Sequence, residues 1–97
     1  MALFAVVQRQ RGPKWDLSKP MEEQVLWPEH AAFMNGLVDQ GFVLLGGPVG
    51  DEGRVLLIVR ASDEEEIRAT LAEDPWSEDL LLIASIEPWT IRLGELS

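Results

Sequence analysis

The chain contains no cysteine and only one histidine, and its Lys+Arg total of 8 is outweighed by an Asp+Glu total of 17. Without cysteine there are no disulfides, no thiolate nucleophile and no thiolate metal site, and the redox compartment leaves no trace in the sequence. A single imidazole argues against zinc, which usually takes several His or Cys ligands. No metal and no cofactor are therefore expected. The formal charge of −9 repels phosphate backbones and anionic lipid, so neither nucleic acid nor a membrane surface is an expected partner. No apolar run approaches the roughly 18 residues of a membrane-spanning helix. The apolar start at residues 2–7 lacks a basic flank and a cleavage pattern. The expectation is a cytoplasmic protein.

With 97 residues, residues 1–97 should form one domain. A chain of this size buries only roughly 60–65% of its unfolded surface, so its core alone is marginal.

Residues 3–7, Leu3-Phe4-Ala5-Val6-Val7, form a β-branched and aromatic run that reads as a first strand. A loop follows to Pro20, broken at Gly12-Pro13, and Ser18 could cap a short turn near Met21. Proline suits the first position of a helix and biases the residue before it out of the helical region. The first helix is thus expected over residues 28–40, with Gly41 closing it at C′. His30, Phe33, Met34, Leu37 and Val38 share the i, i+3, i+4, i+7, i+8 spacing of a core-facing stripe. Residues 42–45 and 55–59 are apolar runs separated by Gly46-Gly47-Pro48 and Gly50-Asp51-Glu52-Gly53, the composition of a hairpin. Ser62-Asp63-Glu64-Glu65 fits a capping box, Ser62 at N-cap and Glu65 at N3, and opens a second helix running to about Glu73. Ile67, Leu71 and Asp74 recur at i, i+4, i+7, which turns Asp74 towards the sheet as Pro75 stops the helix. Residues 80–86 supply a last strand; Pro88-Trp89 then bends the chain before residues 90–93.

The order βαββαβ folds most simply as an α+β, ferredoxin-like unit with a four-stranded antiparallel sheet and both helices on one face. In the usual order 4-1-3-2 the second strand lies on an edge, where Pro48 needs no ladder partner. The start of the first helix, the end of the second, the long first loop and the hairpin turn then meet at one end of the sheet. His30 and Asp74 converge there. Two helices cover one sheet face only, yet the strand runs do not alternate with polar residues as a solvated face requires. A second copy packed sheet to sheet about a two-fold axis is the expected cover.

Trp27-Pro28-Glu29-His30, Leu44-Leu45-Gly46-Gly47-Pro48, Asp74-Pro75-Trp76 and Ile86-Glu87-Pro88-Trp89, taken in order, resemble the landmarks of the YciI-like, or YCII-related, family across almost the whole chain. That resemblance implies a dimeric α/β barrel and an active-site pair of histidine and aspartate, which fall here on His30 and Asp74. Trp76 stands where many members carry a smaller aromatic.

The chemistry of such a pair is independent of the resemblance. A carboxylate that accepts a hydrogen bond from one imidazole nitrogen fixes the tautomer and leaves the other nitrogen free to take a proton. His30 is the candidate general base and Asp74 its orienting partner. The bland alternatives are a histidine that caps a helix and an aspartate that shapes a turn. Gly46, Gly47 and Pro48 either let backbone approach a ligand or form an edge-strand bulge. Arg9, Arg11 and Lys14 lie in the chain near the site end; Arg9, which ends a strand, is the best placed of them to hold a ligand anion. Trp15, Trp27 and Trp76 either wall a flat ligand or cover core. Trp89 and the acidic run 63–66 read as packing and as a solvated first turn. The function expected is a cofactor-free proton transfer on a small, aromatic-derived molecule, of isomerase or lyase type. The alternative is a dimeric binding module with a small-molecule pocket near His30.

Overall fold

In the computed structural model, which describes residues 1–96, the elements are β1 (Ala2–Arg9), a short 3-10 helix (Met21–Glu23), α1 (Trp27–Asp39), β2 (Val43–Val49), β3 (Arg54–Ala61), α2 (Glu64–Leu71) and β4 (Leu82–Pro88). The four strands form one antiparallel sheet in the order β2-β3-β1-β4. This is the ferredoxin-like arrangement, with β2 and β4 on the edges.

Alternation along β1 sorts the sheet into two faces. Phe4, Val6 and Gln8 are buried while their neighbours are less so. Phe4 and Val6 pack with Leu57, Val59 and Ala61 of β3, Leu37 of α1, and Ile67 and Leu71 of α2. Both helices therefore cover this face. The pairs Leu3↔Arg60, Ala5↔Ile58, Val7↔Leu56 and Arg9↔Arg54 belong to the other face, which no helix covers.

Several local expectations shift. Trp27 is the first helical residue although Pro28 follows it, and Leu26 before it is left-handed at φ 63. At the far end Gly41 takes φ 77, the left-handed geometry expected at C′. The cap of α2 sits one residue later than expected. Asp63, not Ser62, accepts the Glu66 N–H at 2.9 Å, and the Glu66 carboxylate accepts the Ser62 N–H at 2.7 Å. Asp63 thus supplies the N-cap half of a box while Glu66 reaches one residue further back, to Ser62, and an ionised acceptor suits the positive helix end better than a hydroxyl. Val38, expected in the buried stripe, is half exposed because α1 packs through His30 and Leu37.

In β2 the strand runs through Gly46-Gly47-Pro48, and the irregularity in its pairing falls between Val43 and Leu45 instead. Pro48 is tolerated there because β2 is an edge. The last strand begins at Leu82, later than expected, because Leu80 and Leu81 are drawn into a second small core around Trp76. Residues 90–93 form no strand, although the Trp89 N–H donates to Leu3 O at 3.0 Å.

Candidate functional site

The second core lies at the end of the sheet where α1 starts. Trp76, Leu80 and Leu81 are buried in it, with Trp15, Met21, Trp27 and Val55 packed around them. Trp76 is its centre: Trp15 meets the indole edge-on at 5.4 Å and Trp27 lies tilted at 5.8 Å. Each indole removes on the order of 200 Å² from water, so three in contact give this small domain apolar burial that its main core cannot supply.

His30 and Asp74 meet against this cluster. Imidazole Nδ1 lies 2.9 Å from Oδ1 and 2.8 Å from Oδ2 of Asp74, and both residues are buried. Asp74 is held in turn by the Trp76 backbone N–H, which donates to Oδ1 at 3.0 Å. A carboxylate that receives a donor from the backbone and faces Nδ1 with both oxygens calls for a proton on Nδ1. Nε2 is then the imidazole nitrogen with a free lone pair, and among the described residues no protein group hydrogen-bonds to it.

His30 also lines a cavity of about 280 Å³ together with Met21, Trp27, Ala31, Met34, Asn35, Gly47, Pro48 and Val55. It is the one ionisable side chain in that wall. The rest is apolar apart from Asn35, which the spacing argument overlooked because it lies outside the i, i+3, i+4 stripe. A larger cleft of about 620 Å³ adjoins it at Met21, between the loop bearing Arg11, Trp15 and Lys19 and the hairpin bearing Asp51, Glu52 and Gly53.

The long loop is ordered by Gln24, another residue that sequence reasoning missed. Its buried amide accepts the Asp16 N–H at 2.9 Å and donates to the carbonyls of Asp16 at 2.8 Å and Lys19 at 3.0 Å. Within that loop the Asp16 carboxyl is held below its usual range, first by the Ser18 hydroxyl and then by the Ser18 amide, with Lys19 adding attraction and burial opposing.

The remaining sequence candidates scatter. Arg9 belongs to the open sheet face and does not line the His30 cavity. Gly46 is away from the cavity; a Cβ there would come within 2.7 Å of Leu57 Cδ2, so this glycine lets β2 lie against the core. Gly47 and Pro48 do reach the cavity rim, and Trp27 forms part of its wall. Trp76 is fully buried and stands behind the imidazole. Lys14 pairs with Asp79 at 3.5 Å. Among the described residues no group of three or more His, Cys, Asp or Glu side chains could hold a metal ion, and no helix is long and apolar enough to cross a membrane.

Compared with protein-family models and with curated protein sequences, the chain matches none. Among solved structures it is similar to 5-chloro-2-hydroxyhydroquinone dehydrochlorinase, TftG, from Burkholderia phenoliruptrix AC1100, in complex with 2,5-dihydroxybenzoquinone. The likeness has a TM-score of 0.52 at 22% identity and covers 95% of each chain. At that identity the likeness establishes the fold alone, the ferredoxin-like α+β unit of two helices and a four-stranded antiparallel sheet.

Proposed function

We propose that this protein is a small cofactor-free enzyme of the YciI-like kind, in which His30 takes a proton from a substrate seated in the cavity and Asp74 holds the imidazole in the tautomer that allows it. The observation that carries this reading is the division of labour across one ring: Nδ1 faces both carboxylate oxygens, while the same side chain is the one ionisable group in an otherwise nearly apolar wall. Asp74 also stabilises the imidazolium that results, as a buried carboxylate does for a general base.

A flat, unsaturated, hydroxylated molecule suits a wall built of Trp27, Met34, Pro48 and Val55. TftG, of the same fold, is named for a dehydrochlorination and was solved with a quinone. In an elimination of that type His30 would gain the substrate proton and the leaving group would depart with its bonding electrons, without net oxidation. Isomerisation would return the proton to another carbon. We place this activity in the cytoplasm, in keeping with the composition.

We further infer that two copies pack through their open sheet faces. Leu3, Ala5, Val7 and Leu56, all partly exposed, lie on that face by alternation and register, with exposed Leu45 paired beside the buried Ile58. Soluble monomers seldom leave such an apolar patch uncovered.

The test is titration with 2,5-dihydroxybenzoquinone and with chlorinated hydroquinones, following His30 ring resonances and chloride release in the wild type and in His30→Gln. Chloride release that His30→Gln abolishes supports the enzyme. Saturable binding at His30 without turnover of any member of the series would favour the binding module, and no perturbation of His30 by any of them would overturn the substrate class.

A further inference from the structure

Trp76 holds an unusual position relative to the imidazole. The two rings lie 3.9 Å apart at an interplanar angle of 8°, a parallel stack, and every polar atom of Trp76 is tied down. Its backbone N–H donates to Asp74 Oδ1 at 3.0 Å, and its carbonyl accepts from the Leu80 and Leu81 amides at 3.2 and 2.9 Å. The indole N–H donates to Val25 O at 2.6 Å. Val25 precedes Leu26, the left-handed residue whose carbonyl accepts the His30 N–H at 2.9 Å. A leucine with positive φ persists only where its surroundings hold it, and the indole N–H is one of those restraints.

The Asp74 hydrogen bond leaves a freedom that this stack removes. Two nearly equidistant oxygens accept Nδ1–H over a range of ring tilts, so the carboxylate fixes where Nδ1 points but constrains the ring plane weakly. A parallel indole constrains the plane strongly, because tilting the imidazole breaks face contact with a ring that cannot follow. The negative π-face also favours the positive charge that arrives when the imidazole takes a proton.

We propose that Trp76 is a positioning residue for His30: its indole face sets the plane of the imidazole that lines the cavity, and so the direction of Nε2, and its indole N–H anchors the strained turn from which His30 hangs. The functional importance of this arrangement rests on the proton-transfer reading; the arrangement itself does not.

Because His30 is the only histidine, its ring gives an unambiguous NMR signal for the test. Ring 15N spectra and ring C–H order parameters would be recorded for the wild type, Trp76→Phe, Trp76→Leu and a control, Leu80→Ala, which loosens the same small core without touching His30. In Trp76→Leu the ring order parameter should fall from the rigid range of about 0.85 to below about 0.6, while the Nδ1–H tautomer, which Asp74 fixes, should persist. Trp76→Phe keeps an aromatic face and loses the N–H, so it should keep the tautomer and show an intermediate order parameter. Leu80→Ala should change neither quantity. Should Trp76→Leu fail to fold, Trp76→Phe decides alone: a ring as rigid as in the wild type would overturn the proposal. So would a folded Trp76→Leu that matches Leu80→Ala. Failure of the proton-transfer reading is separate, since it appears as retained turnover in His30→Gln while the ring still responds to Trp76.

Discussion

His30 Nδ1 and the Asp74 carboxylate stand 2.8 to 2.9 Å apart across 44 residues of sequence, and the same carboxylate accepts the Trp76 amide. Asp74 therefore needs two acceptors. Asparagine has one carbonyl oxygen; if the Trp76 amide keeps it, the side-chain NH2 is turned to Nδ1 and forces that nitrogen to accept. We expect Asp74→Asn to fold and to move the His30 proton to Nε2, visible in long-range 1H–15N spectra. On an identified substrate the cost should be about 10²–10⁴ in kcat, the range a general base contributes. An imidazole still protonated at Nδ1 in the variant would contradict the orienting role of Asp74.

The assembly prediction concerns the uncovered sheet face. Val7 and Leu56 are direct cross-strand partners near its middle, so Leu56→Asp would place a charge where a second copy is expected to pack. Sedimentation should give a dimer for the wild type at micromolar concentration and a monomer for the variant, since an unpaired buried charge costs roughly 3–5 kcal/mol. A wild-type monomer that stays folded and soluble at that concentration would defeat the proposed interface.

Strand order, the edge position of Pro48 and the convergence of His30 with Asp74 were legible because each follows from element order and from period-2 and period-3.6 patterns. Less legible was what fills the space between elements. Residues 80 and 81 read as strand because they are apolar, yet Trp76 recruits them into a separate core. Trp76 itself read as a possible ligand wall, and only its burial and stacking against the imidazole reveal otherwise. Arg9 looked well placed at a strand end, but one residue of alternation decides which face it shares, and that face is not His30's. Gln24 carried no sequence signal, since a buried amide that satisfies carbonyls of a distant turn has no local pattern.

Acid should loosen one part of the long loop before the rest. The Ser18 hydroxyl and amide hold the Asp16 carboxyl below its ordinary value of 3.8. A depressed folded-state value means that this contribution is fully present above the unfolded value and is lost as pH falls through the folded one. Below pH 3.8 the Ser18 amide should progressively lose its downfield shift and its exchange protection. Asp16→Asn should remove that pH dependence; the same titration in this variant would place its origin elsewhere.

Gln24 decides whether the loop over the larger cleft is ordered. Its Oε1 and Nε2 serve the Asp16 N–H and the carbonyls of Asp16 and Lys19 from a side chain that is almost wholly buried. Gln24→Leu keeps most of the volume and leaves those backbone groups without their partner, at a cost of roughly 1–3 kcal/mol for each one that stays buried. The loop has a cheaper escape, which is to open locally and give those groups to water. We therefore expect the variant to lose little global stability, to exchange the Asp16 amide much faster than the wild type, and to leave the His30–Asp74 tautomer unchanged, because the pair is held by Trp76 and by α1. Hydrogen exchange read residue by residue checks this, and an Asp16 amide as protected as in the wild type would show that Gln24 is not what orders the loop.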